Sequence, residues 1–327
     1  MHFYIFTGGE RNPLYDILFS DLKSLYNVTL ISSLPAIPKN KEKLWKLHHS
    51  KSMNQIFELP FRAAWNRYSM MEDIISNVDE NCCFVFSNVA MEYYEPSLLR
   101  IYQKKYGVKM VLYLLDTFDS YYSSGARLAC NRVSFDAIYT YHRPDAIRYG
   151  FRFFDTYYSR LSVTKQEVSS DVFFWGSEKG RGQQIRKIYT FLKDNGFCPR
   201  FGVCYANVSE YKGLDIECNQ ELTYQSIVNA INSTQCIVDL TGESSKGISL
   251  RVFEAVVYGK KILTDNSEVQ SMRGIDPKNV KYFSDWETFS KDFTKEWLNK
   301  KSGQKAIYQD EYSPIHFVKQ MEKDLRL

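Results

Sequence analysis

Short apolar runs alternate with longer amphipathic segments along this chain, and the alternation limits the fold more than any other feature. Predominantly apolar runs occupy residues 3–6, 83–86 and 110–115 in the first half, and 171–175 and 236–240 in the second. Such runs are typical of strands buried on both faces of a parallel sheet, and the segments between them are typical of crossover helices. The sequence therefore predicts an α/β fold built from βαβ units.

The alternation occurs twice, with a polar interval between the two series. Apolar periodicity fades between residues 156 and 170, and 327 residues suffice for two domains that each have a core. We predict two Rossmann-like domains, residues 1–165 and 166–327, that face each other across a cleft. The segments 286–297 and 314–327 are interpreted as closing helices.

Composition argues against several classes of protein. The formal net charge of +4 is mild and spread along the chain, so the sequence does not indicate a nucleic-acid-binding protein. Seven cysteines without a C-x-x-C pair argue against a disulfide framework or zinc site and favour a reducing cytosol. The N-terminus lacks signal-peptide features, and no apolar run approaches the roughly 18 residues of a membrane span. We expect a cytoplasmic protein whose charge suits peripheral association with the inner face of the cell membrane.

Residues 246–266, KGISLRVFEAVVYGKKILTDN, form the most informative single segment. The pattern predicts a Gly/Ser loop, an amphipathic helix, a tight turn and an apolar strand with a polar end. In a parallel sheet this order brings a helix N-terminus and a strand carboxyl end to one crevice, where open α/β sheets bind ligands. Ser249 occupies the N-cap position and Arg251 the first helical turn, so we expect an anion to bind there.

A second candidate loop lies in FFWGSEKGRGQQIR, residues 173–186. Gly176 lies at the end of a predicted strand, and the glycine-containing loop would leave backbone N–H groups facing phosphate oxygens. Arg181 and Arg186 could supply charge-assisted contacts to a diphosphate. The alternative is an ordinary strand-to-helix connection with solvated basic side chains.

Glu254, Ala255, Gly259 and the strand after Lys261 resemble the donor-nucleotide segment of glycosyltransferases with the GT-B fold. That fold consists of two facing Rossmann-like domains, and its terminal helix often crosses back onto the first domain. The resemblance therefore implies the same architecture here.

In many retaining members of this family, one glutamate precedes a glycine-rich loop and a second follows eight residues later. Glu254 matches the second glutamate and Gly247 matches the loop, whereas Lys246 occupies the position of the first glutamate. The resemblance implies that Glu254 hydrogen-bonds the donor ribose, and that Ser249 and Arg251 face the β-phosphate. Lys246 could face the diphosphate.

The resemblance implies a metal-independent, hexosyltransferase-like enzyme with a nucleotide diphosphate-sugar as co-substrate and no other cofactor. Its acceptor would be a bacterial surface glycan (capsule, exopolysaccharide or lipopolysaccharide) or a lipid-linked glycan precursor. Two alternatives stay open: a GT-B-like nucleotide-sugar epimerase, and a non-catalytic nucleotide-sugar-binding or scaffold protein of a polysaccharide assembly complex. The lysine at position 246 favours the second of these.

Candidate residues of the first half follow predicted strands. Gly8 and Gly9 follow the first strand, and the resemblance implies that their loop faces the acceptor and the donor phosphates. Asp116 follows the run at 110–115 and is our candidate for the base that an inverting transferase needs, with helix capping as the alternative role. His142 is a second candidate base, although most single histidines are structural. Asp116 and Asp119 superficially resemble the acidic pair of metal-dependent GT-A enzymes, but we expect no metal site.

Overall fold

The protein forms two separate units. The computed structural model describes residues 1–10, 12–50, 52–53, 59–69, 78–120, 123–163, 167–241, 247–272, 274–301 and 312–325. Unit 1 consists of Met1–Ser159 together with Pro314–Leu327, and unit 2 consists of Arg160–Ser313. The sequence-based domains, 1–165 and 166–327, differ from this division at residues 160–165 and in the last helix.

Unit 1 contains a six-stranded sheet in which each pair of neighbouring strands is parallel. The strand order is β2-β1-β3-β4-β5-β6. The strands are β1 (His2–Phe6), β2 (Val28–Ile31), β3 (Cys82–Ser87), β4 (Lys109–Leu114), β5 (Ala137–Thr140) and β6 (Arg152–Phe153). The described α-helices of this unit are α1 (Pro13–Leu18), α2 (Glu42–His48), α3 (Pro96–Tyr106), α4 (Ser124–Cys130), α5 (Arg143–Tyr149) and α11 (Pro314–Leu325).

Unit 2 also contains a six-stranded parallel sheet, with the strand order β12-β11-β10-β7-β8-β9. The strands are β7 (Ser170–Ser177), β8 (Pro199–Cys204), β9 (Glu217–Cys218), β10 (Thr234–Asp239), β11 (Lys261–Thr264) and β12 (Val280–Tyr282). The described α-helices are α6 (Gly182–Asp194), α7 (Tyr224–Asn232), α8 (Leu250–Val257), α9 (Trp286–Asp292) and α10 (Lys295–Asn299).

Short 3-10 helices occur in the connections of both units. They cover Ser20–Ser24, Lys39–Lys41, Arg62–Tyr68 and Ala90–Glu92 in unit 1, and Val208–Tyr211, Ser267–Ser271 and Pro277–Asn279 in unit 2. None of the helices described here is long and apolar enough to cross a membrane.

The apolar runs of the sequence become the central strands, so the predicted α/β fold with two Rossmann-like sheets is confirmed. Every residue of β3 is buried, as expected for a strand covered on both faces. In unit 2 the chain winds outward from β7 in one direction and from β10 in the other. The gap between the carboxyl ends of β7 and β10 is therefore the topological switch point, where such sheets bind ligands.

The last helix, α11, packs on the sheet of unit 1. This agrees with the prediction that the terminal helix crosses back onto the first domain. Its Phe317 is fully buried, with ring centroids 4.9 Å from Tyr113 and 5.2 Å from Tyr139. Near its end, Asp324 accepts a hydrogen bond of 2.7 Å from the Tyr139 hydroxyl and pairs with Arg152 at 2.8 Å. These contacts are the reason that α11 belongs to unit 1 although the chain reaches it from unit 2.

Candidate functional site

Arg251, in the first turn of α8, lies against the carboxyl end of β7. Its Nε and Nη2 donate to the carbonyl oxygen of Trp175 at 3.2 and 3.0 Å, and the guanidinium lies 5.1 Å from the ring centroid of Phe174. A Cβ atom at position 176 would overlap Nη2 of Arg251, so glycine is needed for this close approach. Two predicted donor-site residues, Gly176 and Arg251, therefore lie together at the switch point.

Arg181, another predicted donor ligand, is buried between the ends of β7 and β10. Its guanidinium donates to the backbone carbonyl oxygens of Ser177 and Leu240, and its Nε donates to the backbone carbonyl oxygen of Glu178 at 3.1 Å. Burial, and then the like charge of Arg251, lower the pKa of Arg181. The hydrogen bonds described for Arg181 thus go to main-chain carbonyls at the ends of both strands, so in this structure it holds the switch point together.

Ser249 takes the N-cap position of α8, as predicted, but its hydroxyl does not cap the helix. It donates instead to Oδ1 of Asp239 at 2.6 Å, and Oδ2 of Asp239 accepts from the Thr264 hydroxyl at 2.9 Å. The buried Asp239 therefore joins the loop before α8 to the ends of β10 and β11. The first turn of α8 has no side-chain cap, which leaves its N–H groups suited to an external anion.

Gly247 lies in the same loop, and its carbonyl oxygen accepts from Nδ2 of Asn266 at 3.2 Å. The backbone N–H of Asn266 in turn donates to the Thr264 hydroxyl at 3.0 Å. The loop is therefore fixed at both ends of its described part. Lys246 lies outside the described residues, so its predicted contact with the diphosphate stays a prediction.

Glu254 is a buried carboxyl on α8, one turn beyond Arg251. The Tyr224 hydroxyl, at the start of α7, donates to its Oε1 at 2.8 Å. Burial raises the pKa of Glu254 to about 7, against the opposing effects of the Tyr224 hydrogen bond and the Arg251 charge. A buried carboxyl with a raised pKa beside an arginine makes Glu254 a candidate for a functional group.

Arg186 is the one predicted donor residue of α6 that the structure places elsewhere. Its side chain is exposed on the outer face of the helix, where it lines a shallow groove together with Gln183 and Trp286. The described residues thus bring Gly176, Arg181, Gly247, Ser249, Arg251 and Glu254 to the carboxyl edge around β7, β10 and α8, without Arg186.

The N-terminus of α6, predicted to face phosphate, faces two carboxylates of the protein itself. A Cβ atom on Gly182 would overlap Oε2 of Glu210 and would lie 2.9 Å from Oε1 of Glu178. Glu178 is held there because its Oε2 accepts from the backbone N–H of Asn207 at 2.7 Å. These carboxylates occupy the space beside the helix end that a phosphate would need.

The Gly8-Gly9 loop of unit 1 holds a carboxylate as well. A Cβ atom on Gly9 would overlap the carboxyl group of Asp16, which accepts from the Thr7 hydroxyl and from the Ser32 hydroxyl at 2.5 Å. Sequence reasoning missed Asp16, although its place in the first turn of α1, just after the glycines, was visible. The predicted phosphate loop is therefore closed by a side chain in this structure.

Asp116 follows β4 and is half-buried near the end of β5. Its Oδ2 accepts a long hydrogen bond of 3.4 Å from Nδ2 of Asn88. Burial, with the added effect of the Asp116 and Asp145 carboxylates, raises the pKa of Tyr141 to about 12. Both carboxylates therefore lie near Tyr141, at the carboxyl edge of the sheet.

His142, the second candidate base, belongs to this cluster through Asp145. Its Nδ1 lies 3.1 Å from Oδ1 of Asp145, off the direction of a good hydrogen bond, and Oδ2 of Asp145 accepts from the Phe118 N–H at 2.6 Å. Asp145 thus fixes the loop after β4 to the start of α5. Sequence reasoning missed this residue, although a carboxylate three positions after a histidine in a helix is a recognisable signal.

The hydrogen-bond and ion-pair partners of Asp119 lie outside this cluster. It accepts from the Tyr149 hydroxyl at 2.8 Å and pairs with Arg148 at 3.0 Å on the exposed surface. In the part of the chain that the structure describes, no group of three or more His, Cys, Asp or Glu residues is arranged to hold a metal ion.

No protein-family model matches the sequence, and no curated protein is significantly similar to it. Solved structures share its fold. Sucrose-phosphate synthase from Thermosynechococcus elongatus has a TM-score of 0.55 and 9% identity, over 100% of this chain and 98% of that one. An alpha-glucosyltransferase in complex with UDP and a 13-mer DNA has a TM-score of 0.53 and 11% identity, over 100% of both chains.

TarM has a TM-score of 0.54 and 12% identity to this chain. The match covers 81% of this chain and 58% of TarM, so the chain spans less than two thirds of TarM. At these identities the likeness shows the fold alone. The chain has the fold of the GT-B glycosyltransferases, as the sequence predicted.

Glu254→Gln is expected to stabilise the protein at pH 8 and to change its stability little near pH 4.5. The folded pKa of about 7 exceeds the usual 4.5, so the folded state binds the extra proton between these values. The contribution of Glu254 to stability is therefore lost as the pH rises through about 7. The gain of the variant at pH 8 is about 3 kcal/mol.

Urea unfolding of parent and variant at both pH values measures this difference. Glu287→Gln, which removes an exposed carboxylate from the same unit, is the control. A difference between Glu254→Gln and the parent that does not change with pH would show that the carboxyl is not destabilised by burial.

Proposed function

We propose that this protein is a glycosyltransferase that uses a nucleotide diphosphate-sugar as donor. The acceptor we propose is a bacterial surface glycan or its lipid-linked precursor, at the inner face of the cell membrane. The observation that carries the proposal is the uncapped N-terminus of α8, with Arg251 in its first turn and the buried Glu254 one turn later. GT-B relatives of known structure, including one in complex with UDP, support the donor class.

Arg251 is anchored on one edge of its guanidinium and presents the other. Of its five N–H groups, those described in hydrogen bonds belong to Nε and Nη2, and both meet the carbonyl of Trp175. The Nη1 edge suits a bidentate contact with phosphate oxygens, beside N–H groups of a helix N-terminus that already favours negative charge. This combination would hold the diphosphate of the donor.

Glu254 suits the ribose of the donor. An ionised carboxylate accepts from two vicinal hydroxyls, and its burial makes each such bond stronger than it would be in water. Burial disfavours the charged form of this carboxyl, so the ionised group lowers the stability of the folded protein. A ligand that supplies hydroxyl donors would offset this cost.

In the proposed reaction the bond between the sugar C1 and the diphosphate oxygen breaks, and C1 bonds to an acceptor oxygen. The nucleoside diphosphate leaves as an anion, which Arg251 and the α8 N-terminus stabilise electrostatically. Asp116 takes the proton of the acceptor hydroxyl if the configuration inverts. His142, beside Asp145, is the second candidate for this proton.

Arg251→Ala is expected to weaken binding of the nucleotide by about 1.5–3 kcal/mol, because a set of charge-assisted hydrogen bonds is lost. Thermal shift with UDP-, GDP-, CMP- and dTDP-sugars identifies the donor, since a ligand that binds only the folded state raises the melting temperature. Isothermal titration of parent and variant then gives the difference in affinity.

Arg186→Ala is the matched control for Arg251→Ala, because it removes the same charge from the exposed face of α6. It should bind the donor as the parent does. If Arg251→Ala also binds like the parent, or if the two variants lose affinity equally, the donor site is misplaced.

Asp116→Asn is expected to leave donor affinity unchanged and to slow transfer by about two orders of magnitude or more, as loss of a general base does. The measurement is product formation under donor saturation, with His142→Gln assayed in parallel. Normal transfer by Asp116→Asn would exclude it as the base. A parent that binds donor but turns over none with any acceptor would instead support the non-catalytic alternative that Lys246 favours.

A further inference from the structure

Unit 1 carries a small helical insertion between β2 and β3 that the proposed transfer reaction does not use. It contains α2 and the 3-10 helix Arg62–Tyr68. Their tryptophans fix the two helices in place: the Trp45 ring stacks on Tyr93 at 5.7 Å, and Trp65 Nε1 donates to His48 Nδ1 at 3.1 Å. The outer faces of both helices are therefore held in a defined arrangement.

Three of the outward side chains of this insertion are large and apolar. Leu44 is 51% exposed, Leu47 is 45% exposed and Phe61 is 83% exposed. Leu44 and Phe61 line a groove of about 340 Å³ whose other described lining residues are Lys41, His48, Ala64, Trp65, Arg67 and Tyr68. We name these eight residues the insertion groove. Clustered apolar groups of this kind mark interaction surfaces more often than isolated ones do.

Phe61 is unfavourable to this protein in two ways if nothing covers it. Its φ of 63° places the backbone in the left-handed region, which costs a residue with a side chain roughly 1–2 kcal/mol. Its ring is also left in water instead of in the core. With its side chain 83% exposed, Phe61 gains little burial to offset these costs. An external apolar partner is therefore the simplest physical reason for an aromatic residue here.

Cations surround the insertion groove. Lys41 donates from Nζ to the Tyr68 hydroxyl at 2.6 Å, and Lys41 and Arg67 lie 5.3 and 5.9 Å from the Tyr68 ring centroid. Lys39, Lys43 and Lys46 are exposed nearby on the same segment. Residues 38–69 of the sequence contain seven lysines and arginines but two acidic residues, Glu42 and Glu58. Glu42 pairs with Lys46.

We propose that the insertion groove docks on a bilayer that contains anionic phospholipids. An apolar floor beneath a cationic rim complements an amphiphile with an anionic head: Phe61 and Leu44 enter the acyl boundary, while Lys41 and Arg67 meet lipid phosphates. The inference deepens the proposed function by naming the surface that brings the enzyme to its acceptor. The identity of the acceptor rests on that proposed function, whereas binding to the bilayer does not depend on it.

Cosedimentation with vesicles tests the proposal. The parent should bind vesicles of phosphatidylcholine in which one lipid in three is phosphatidylglycerol, bind pure phosphatidylcholine much more weakly, and lose binding in high salt. Phe61→Asn with Leu44→Gln removes the apolar contact but suits the backbone, since asparagine tolerates the left-handed region and glutamine favours helix. Lys41→Gln with Arg67→Gln removes two charges. Each pair of changes should lower the partition coefficient by about tenfold or more.

Matched controls come from other exposed positions of unit 1. Tyr26→Asn with Ile147→Gln removes comparable apolar surface, and Lys104→Gln with Lys105→Gln removes two charges from α3. Both control variants should bind vesicles like the parent. The proposal is overturned if the parent does not bind anionic vesicles, or if the controls lose as much binding as the groove variants.

The donor thermal shift, measured on the same samples, keeps this test separate from the proposed function. Groove variants should keep the full shift, which also shows that they are folded. Vesicle binding without any donor shift would support the docking surface and contradict the proposed transferase function. A donor shift without vesicle binding would support the transferase function and contradict the docking surface.

Discussion

The arrangement of unit 2 depends on the hydrogen bonds that the buried guanidinium of Arg181 donates to main-chain carbonyls. It joins the carbonyl oxygens of Ser177 and Leu240, and so ties the ends of two strands from which the chain departs in opposite directions. Because this link is made at the switch point, the Trp175 carbonyl and Gly176 are held where Arg251 can lie on them. Burial, and then the nearby Arg251 guanidinium, lower the pKa of Arg181, whereas the carboxylates of Asp239 and Asp265 oppose this effect. Two guanidinium groups thus lie close together at this edge, which suits an anionic ligand.

The protein's own carboxylates explain why α8, rather than another element, is the place for that ligand. Glu178 and Glu210 lie against the N-terminus of α6, and Asp16 lies against the glycine loop after β1. Beside α8 the carboxylate of Asp239 accepts from the hydroxyls of Ser249 and Thr264, and no side chain caps the helix end. The three loops look alike in sequence, but their electrostatic surroundings differ.

The fold could be predicted from the sequence because the buried strands of a parallel sheet are near-continuous apolar runs, which are visible locally. The segments between these runs then have to be the crossover connections. Sequence reasoning also placed Ser249, Arg251 and Glu254 at one edge, since loop, helix and strand follow each other within the unit from β10 to β11. Gly176 was placed at the end of β7, whose carboxyl end lies at the same edge. The neighbours of a side chain in space are not local, which is why the main-chain contacts of Arg181 and the position of Asp16 were missed. The exposure of Arg186 could have been predicted, because the apolar positions Ile185, Ile188 and Leu192 recur at helical spacing on a face of α6 that does not include position 186.

The proposed function requires that a nucleoside diphosphate binds at the uncapped end of α8. Hydrogen–deuterium exchange, with and without the nucleotide that gives the largest thermal shift, measures this binding residue by residue. We expect slower exchange in two stretches, residues 174–182 and 247–258, with little change around β8 and β9. Protection confined to unit 1, or the absence of any nucleotide-dependent protection at the start of α8, would contradict it.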